Sequence, residues 1–178
     1  MIIGGKLKKN NFYFGEEMSK QISLTQGKFT IVDDWNYEWL NQWNWCVADC
    51  GSWEYAKRIE NGKTVYMHRL IMGLSFNDNR QVDHINRNGL DNRENNFRIC
   101  TNQQNAFNQK SKGMSSKYKG VGWGKRENKW RARIVINGKD TYLGYFENEL
   151  DAAAAYDFAA LKYFGEFAFT NFEISLAA

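Results

Sequence analysis

The spacing of apolar and polar residues predicts an antiparallel sheet in the last third of the chain. After a turn at residues 126–128, apolar positions alternate with arginines, as in a strand with one buried face. The apolar face would hold Trp130, Ala132, Ile134 and Ile136, and the opposite face Arg131, Arg133 and Val135. Asn137-Gly138 favours a tight hairpin turn into residues 140–146. With residues 117–123 as the first strand, the pattern predicts a three-stranded meander with an arginine-bearing face.

An alanine-rich segment predicts a helix directly after this sheet, between Asn148 and Gly165. Asn148 is a favourable N-cap residue, Asp151 stands at the capping-box position, and Gly165 suits the residue that follows a helix. Because alanine side chains are small, such a helix can pack closely on the apolar face of the sheet. The arginine-bearing face would then stay open to solvent.

The first 75 residues predict mixed β structure with one short helix. Strand patterns occur at residues 29–33, 45–48 and 54–59, and Asn61-Gly62 predicts a hairpin after the last of them. Following a cap at Asp33 or Asp34, apolar residues recur at helical spacing at Trp35, Trp39, Leu40 and Trp43. Packing in a core is the favoured interpretation of this stripe, ahead of stacking on nucleic-acid bases.

The middle of the chain has a different character. Residues 81–112 are polar and rich in asparagine, which favours turns and loops. The small polar residues 111–116 are the best linker candidate. We therefore expect an α+β protein with a segment of unassigned role at 1–20, one domain at 21–110, a linker at 111–116 and a second domain at 117–172.

The distribution of charge along the chain is more informative than the net charge. The 178 residues hold 24 Lys and Arg against 20 Asp and Glu, and the net charge of +4 is only a weak indication of a nucleic-acid partner. Between Lys117 and Lys139, eight basic residues are opposed by Glu127 alone, whereas from Asp140 onward Lys162 faces seven acids. Two solvated faces would explain this split. A surface for a polyanion becomes the better interpretation if the basic stretch forms one face.

Composition also predicts the compartment. No apolar run approaches the roughly 18 residues of a membrane span, and the first residues lack the apolar region of a secretory signal. We expect a cytoplasmic protein with no membrane partner. Cys46, Cys50 and Cys100 are too few for a disulfide framework. The pair at 46 and 50 could be half of a zinc site, but its spacing to Cys100 and His68 fits no finger pattern, so buried thiols are favoured.

Candidate chemistry centres on two histidines, His68 and His84. A lone histidine is more often structural than catalytic. His84, however, follows Asp83 where a short apolar stretch gives way to a polar loop. At such a place the carboxylate can face a metal ion while the adjacent imidazole faces a water molecule.

This middle segment carries a family resemblance. Residues 82–109, VDHINRNGLDNRENNFRICTNQQNAFNQ, resemble the ββα-metal motif of HNH homing endonucleases, with its pattern of D-H, then N-N-L/F-R, then T-x-x-x-N. Upstream, VYMHRLIMG at 65–73 is similar to the segment that precedes this motif in phage- and intron-encoded members. The resemblance extends from about residue 22 to residue 109.

The resemblance implies a role for four residues. His84 would be the general base, and Asp83 and Asn105 the two protein ligands of one divalent cation. Asn96 would not touch the metal but would tie the loop together by side-chain to backbone hydrogen bonds and so orient His84. Because asparagine stands where many relatives have histidine, this H-N-N variant offers only oxygen ligands, which favours Mg²⁺ or Mn²⁺ over Zn²⁺.

Further basic residues near the motif are candidates for holding phosphates. They are Arg69, Arg93 and Arg98. Solvated arginines are an equally good interpretation of Arg93 and Arg98. His68 and Arg69 match an M-H-R sequence of the same family, and we interpret His68 as structural or phosphate-facing.

The carboxy-terminal part carries a second resemblance. KYKGVGW, KWRARI, YLGYF and AAAAYDFAALKYFGEFAFTNF, between residues 117 and 172, resemble the Apetala-two domain of plant ethylene-response factors. That domain grips the DNA major groove with its sheet. The resemblance implies DNA contacts at Lys119, Trp123, Arg126, Arg131, Arg133 and Tyr142. Trp130 has the opposite parity to the two arginines of its strand and is assigned to the core.

Some positions depart from the plant pattern. Gly122 replaces a common arginine, and Asp140 and Tyr142 stand where arginine and tryptophan often occur. The resemblance therefore implies how the sheet is placed on DNA but not which sequence it prefers.

Together these features predict a site-specific endonuclease of the HNH homing type that acts on double-stranded DNA, in a bacterial or phage-infected cell. The product would carry a 5′-phosphate. One active site in each chain leaves a nicking monomer and a DNA-induced dimer both open. The alternatives are a DNA-binding regulator whose nuclease part is inactive, and an RNA-binding or structural module.

Overall fold

A computed structural model of the chain describes residues 18–49, 51, 53–109 and 115–173. Most of the predicted segment 1–20, Cys50 and most of the predicted linker 111–116 lie outside these residues. None of the helices in the described ranges is long and apolar enough to cross a membrane.

Short strands and helices alternate through the first part of the described chain. They are β1 Ser19–Ser23, β2 Phe29–Asp33, α1 Asp34–Leu40, β3 Cys46–Asp49, β4 Glu54–Glu60, β5 Lys63–Tyr66, α2 Met67–Ile71, β6 Gln81–His84, β7 Asp91–Asn92, β8 Phe97–Cys100 and α3 Asn102–Phe107. Single 3₁₀ turns lie at Thr25–Gly27 and Glu94–Asn96. The predicted strands are confirmed within one residue. The predicted short helix is confirmed from Asp34 to Leu40, but Trp43 of the helical stripe lies beyond its end.

These elements form three small sheets. Their strand orders are β1-β2-β7, β3-β4-β5 and β6-β8. The predicted hairpin joins β4 to β5, with Asn61 at φ +50° and Gly62 at φ +74°, as a type I′ turn requires. β7 pairs in parallel with β2, so the asparagine-rich loop is held against the first sheet.

The core of this part is built from side chains of all three sheets and the first two helices. Val32, Leu40 and Met67 are fully buried in it. The tryptophan stripe is only partly internal: Trp39 packs against the core, whereas Trp35 is 66% exposed. The prediction that the stripe packs in a core is therefore wrong for Trp35, which lies in the first turn of α1.

Of the cysteines, Cys46 and Cys100 fall in described positions and are free thiols. Cys100 is buried, and burial raises the pKa of its thiol to about 11. Cys46 is half-buried and donates to the carbonyl of Lys57. The predicted burial holds for Cys100 and only in part for Cys46, while the prediction for Cys50 lies outside the described residues.

The second part is the predicted meander backed by one helix, although its first strand begins at Val121 and not at residue 117. Its strands are β9 Val121–Gly124, β10 Lys129–Ile136 and β11 Lys139–Phe146, in the order β11-β10-β9, and its helix is α4 Glu149–Phe164. The Asn148 side chain accepts from the Leu150 backbone N–H at 2.8 Å, which caps α4, and Gly165 ends it with φ +54°. Ala152 and Ala160 of α4 are fully buried, so the helix lies close to the sheet.

Gly120 is a place where only glycine fits. Its φ is +76°, and a Cβ there would overlap the ring of Tyr156 and lie 2.6 Å from the carbonyl oxygen of Arg133. The K-G-V sequence at the start of β9 therefore lets the chain enter the sheet directly beneath α4.

Candidate active site and nucleic-acid interface

A pair of antiparallel strands followed by a helix carries the Asp83-His84 sequence. β6 pairs with β8, so that Asp83 lies opposite Arg98 and His84 opposite Phe97. α3 follows β8 and carries Asn105. Asp83, His84 and Asn105 line the same pocket, which has a volume of about 70 Å³.

The Asp83 carboxylate is buried and paired. Arg98 donates to its Oδ2 from Nε at 2.8 Å and from Nη2 at 2.6 Å. The Asn108 amide donates to both carboxylate oxygens at 3.0 Å and to the His84 carbonyl at 3.1 Å. Within the described chain, Oδ2 therefore accepts three hydrogen bonds and Oδ1 accepts one, so Oδ1 keeps an acceptor position for a cation.

Asn108 is a site residue that sequence reasoning missed. Its signal is its position one helical turn after Asn105, which brings two residues with that spacing to the same side of a helix. Because the segment contains many asparagines, the residue type alone did not distinguish Asn108 from its neighbours.

Aromatic rings surround the His84 side chain, which is 5% exposed. The ring centroids of His68 and Phe97 are each 5.1 Å from that of His84, in edge-to-face arrangements, and the Tyr55 centroid is 5.8 Å away. No described group forms a hydrogen bond with the buried His84 Nε2. A buried polar atom without a protein partner is suited to a water molecule or a substrate group.

His84 is neutral at physiological pH. Burial lowers the pKa of His84 to about 4, although the nearby amide of Asn92 and the carboxylates of Asp83 and Asp91 act in the opposite direction. A neutral imidazole is the form that can accept a proton.

His68 is the second buried histidine and contacts the first. Burial, with smaller contributions from His84 and Arg69, lowers the pKa of His68 to about 3. Its Nδ1 has no hydrogen-bond partner among the residues that the structure describes. Among the described residues, no contact of His68 supports the predicted phosphate-facing role. The predicted structural role of His68 stays a prediction.

Both histidines should make the fold sensitive to mild acid. Their pKa values in the fold lie below the ordinary 6.5, so below pH 6.5 the unfolded chain binds protons that the folded chain does not. Stability should fall as the pH drops from 6.5 towards 4, by on the order of 2 kcal/mol for each histidine at pH 5. Urea unfolding at pH 7 and pH 5 measures this. His68→Phe keeps the ring and should reduce the acid loss by about half; an equal loss in both proteins would contradict the assignment.

Asn96 ties the loop after β6 to itself. Its Oδ1 accepts from the Asn86 backbone N–H at 2.9 Å, and its Nδ2 donates to the Asn86 side chain at 3.0 Å and to the Asp91 carbonyl at 2.9 Å. That these bonds orient His84 stays a prediction.

The residues of the pocket fit a divalent cation that prefers oxygen. No cluster of three or more His, Cys, Asp or Glu in the described ranges could hold a metal ion. Asp83 and Asn105 instead offer one carboxylate and one amide oxygen. Mg²⁺ is commonly held by one or two carboxylates, with waters and substrate phosphates completing its shell. The open acceptor position on Asp83 Oδ1 agrees with this use.

The three arginines predicted to hold phosphates all have protein partners. Arg69 donates to the carbonyls of residues 75, 78 and 80. Arg93 pairs with Asp91 at 2.7 Å and is the largest cause that lowers the pKa of Asp91. Arg98 pairs with Asp83. Phosphate contacts by these residues stay a prediction.

The open face of the second sheet carries two arginines and two tyrosines. Cross-strand partners share a face of a sheet, and the register pairs Arg131 with Tyr145 and Arg133 with Tyr142. Tyr142 is 58% exposed. Arg133 Nη1 lies 2.7 Å from Asp140 Oδ2, so part of its charge is compensated within the same face.

Trp123 and Arg126 differ in their surroundings. Trp123 pairs with Trp130, with ring centroids 5.0 Å apart, whereas Arg131 lies opposite Gly122. Trp123 therefore lies on the helix side of the sheet, away from the face expected for it. The Arg126 side chain is 95% exposed in the turn between β9 and β10.

Lys119 is not a freely exposed cation. Its Nζ donates to the carbonyls of Phe107 and Gln109, both at 2.6 Å. Burial, together with repulsion from Arg87, lowers the pKa of Lys119 to about 8. DNA contacts by Lys119, Trp123 and Arg126 stay predictions.

The first part thus brings the predicted catalytic and metal-binding residues into one pocket, and the second part has an open sheet face with two arginines. Over 147 residues, the chain is 34% identical to an uncharacterized HNH endonuclease of Acanthamoeba polyphaga mimivirus, a match that covers 80% of this chain and 73% of that relative. The chain belongs to the HNH endonuclease family.

The second resemblance is also confirmed. The chain is 47% identical over 75 residues to the AP2-like ethylene-responsive transcription factor PLT2, and 48% identical over 67 residues to the ethylene-responsive transcription factor WRI1, both of Arabidopsis thaliana. These matches cover 39% and 36% of this chain but only 13% and 15% of the plant proteins. No protein-family model matches the chain.

Proposed function

We propose that the protein is a metal-dependent DNA endonuclease of the HNH homing type, with a carboxy-terminal sheet that addresses it to double-stranded DNA. The observation that carries this proposal is the meeting of Asp83, His84 and Asn105 in one pocket. A nuclease of this type needs a base that is neutral at pH 7 beside oxygen ligands for a cation. The low pKa of His84 and the open acceptor position on Asp83 support both requirements.

The reaction is hydrolysis of one phosphodiester. Asp83 and Asn105 would hold Mg²⁺ or Mn²⁺, which when bound neutralises the charge that develops on the phosphate and the departing 3′-oxygen. His84 accepts a proton from the attacking water, and the new P–O bond forms as the bond to the 3′-oxygen breaks. The product carries a 5′-phosphate. Asn96 and Asn108 hold the loop and the Asp83 carboxylate while this happens.

The carboxy-terminal sheet places this site on DNA. Arg131, Arg133 and Tyr142 share an open face that can enter the major groove. Arg126 extends the basic surface at the tip of the β9–β10 turn. The plant relatives are transcription factors by name, and a DNA-binding role for the matching region of this chain rests on that similarity and on the shared face.

The test is a DNA cleavage assay with and without divalent metal. We expect nicks in a supercoiled plasmid library with Mg²⁺ or Mn²⁺, loss of cleavage in EDTA, and 5′-phosphate ends at a recurrent sequence. Asp83→Asn, purified in the same way, keeps the shape of the carboxylate and should be inactive, which excludes a contaminating nuclease. DNA that is bound but uncut under every divalent metal would instead identify an inactive DNA-binding regulator.

A further inference from the structure

Arg98 connects the nuclease site to the carboxy-terminal module. Its Nε and Nη2 donate to Asp83 Oδ2, and its Nη1 donates to the carbonyl of Glu166. The guanidinium carbon lies 4.4 Å from the ring centroid of Phe167. The Arg98 side chain is only 11% exposed, so these contacts replace most of its hydration.

The contacts at Glu166 and Phe167 decide how the Arg98 guanidinium is turned. A guanidinium is planar and its donors have a fixed geometry, so a bond to one nitrogen and a ring on one face set the directions of the other donors. Those other donors are the ones that hold Asp83 Oδ2. A turn that follows α4, at Gly165–Phe167, therefore contacts one of the two side chains that hold the Asp83 carboxylate, the other being Asn108.

The end of α4, directly before this turn, contacts the helix that carries Asn105. Phe107, in the last turn of α3, stacks on Phe164, with ring centroids 3.7 Å apart and planes 10° apart. Lys119 ties the end of α3 to the start of the second module through the carbonyls of Phe107 and Gln109. Asn105 thus lies on a helix that contacts the carboxy-terminal module, and Asp83 is held by Arg98, which also contacts that module.

We propose that the carboxy-terminal module is part of the nuclease site: Phe167 and the Glu166 carbonyl hold Arg98 as a positioning residue, and Arg98 orients Asp83 for the metal ion. The inference rests on the proposed function, because it takes Asp83 to be a metal ligand. Its consequence is that one module both binds DNA and sets the geometry of the cleavage site.

Metal affinity tests the inference without relying on cleavage. Mn²⁺ binding to the DNA-free full-length protein can be titrated by electron paramagnetic resonance. Groups that orient a ligand typically change metal affinity about 10- to 100-fold, and we expect this loss for Arg98→Lys, which keeps the charge but not the planar fork. Phe167→Ala should weaken Mn²⁺ binding at least about threefold, and Phe167→Tyr, which keeps the ring, should restore it.

The control lies in the same module. Phe158→Ala removes a ring that is 74% exposed on α4 and should leave Mn²⁺ affinity unchanged. DNA affinity in EDTA should be the same in wild type, Phe167→Ala and Phe158→Ala, which separates positioning from DNA binding. Thermal unfolding checks that each variant is folded. If Arg98→Lys does not fold, the test relies on Phe167→Ala.

Two results would overturn the inference in distinguishable ways. If Asp83→Asn abolishes Mn²⁺ binding but Phe167→Ala binds Mn²⁺ as tightly as wild type does, Asp83 is the ligand and the module does not position it. If Asp83→Asn and wild type bind Mn²⁺ equally, the proposed metal site fails, and the inference fails with it.

Discussion

His84→Ala is expected to lower the rate of DNA nicking by about 10²- to 10⁴-fold and to leave DNA affinity unchanged. The imidazole is neutral at pH 7, and its Nε2 has no hydrogen-bond partner in the described part of the chain. Without it, the attacking water would lose its proton to bulk solvent, which is a much poorer base in a closed pocket. Because His84 lies in the first part, the arginine-bearing face is not altered.

The measurement is single-turnover nicking in Mg²⁺, with DNA affinity measured separately in EDTA. His68→Phe is the matched control, since it removes the other buried imidazole but keeps a ring beside His84; it should nick within severalfold of wild type. A His84→Ala protein that nicks normally would exclude His84 as the base. Joint loss of nicking and DNA binding would mean that His84 is structural.

Arg131→Ala combined with Arg133→Ala is expected to lower DNA affinity roughly 10²-fold at 0.1 M salt. The two side chains share the open face of the sheet, as their register with Tyr145 and Tyr142 shows. Each phosphate contact contributes about 0.9 to the slope of log affinity against log salt, so the slope should decrease by up to about 1.8. The loss will be smaller if Arg133 keeps its ion pair with Asp140 when DNA is bound.

Equilibrium binding at several salt concentrations measures both quantities. Lys162→Ala is the control, because it removes one positive charge from the exposed surface of α4, which packs on the other side of the sheet. It should leave affinity and slope nearly unchanged. Equal salt slopes for wild type and the double variant would remove the sheet face from the DNA interface.

Local sequence signals predicted the second module well. The Asn137-Gly138 turn, the Asn148 cap and the alanine-rich helix are encoded within a few residues, and the structure shows each of them in place. The alternation in β10 also assigned the two arginines to one face. These features depend on backbone conformation and on strand or helix periodicity, which neighbouring residues decide.

Other features depend on contacts between distant residues. Asn108 donates to Asp83, 25 positions earlier, and Arg98 reaches a carbonyl 68 positions later. No periodicity signals such bonds. The side of the sheet on which Trp123 lies also depends on a distant partner. The register of β9 against β10 places Trp123 beside Trp130, on the helix side and not on the face expected to contact DNA.

By itself, the sequence determined most elements of both parts and the arginine-bearing face. Its family resemblance predicted the Asp83, His84 and Asn105 set, and these three residues line one pocket. Only the tertiary structure decided that His84 is buried among aromatic rings with a lowered pKa. It also decided that Arg98 and Asn108 both donate to Asp83, and that Arg98 contacts Phe167 in the other module. The reason is physical. Turns, caps and alternation act over a few residues, whereas burial and ion pairing are properties of groups that only the folded chain brings together.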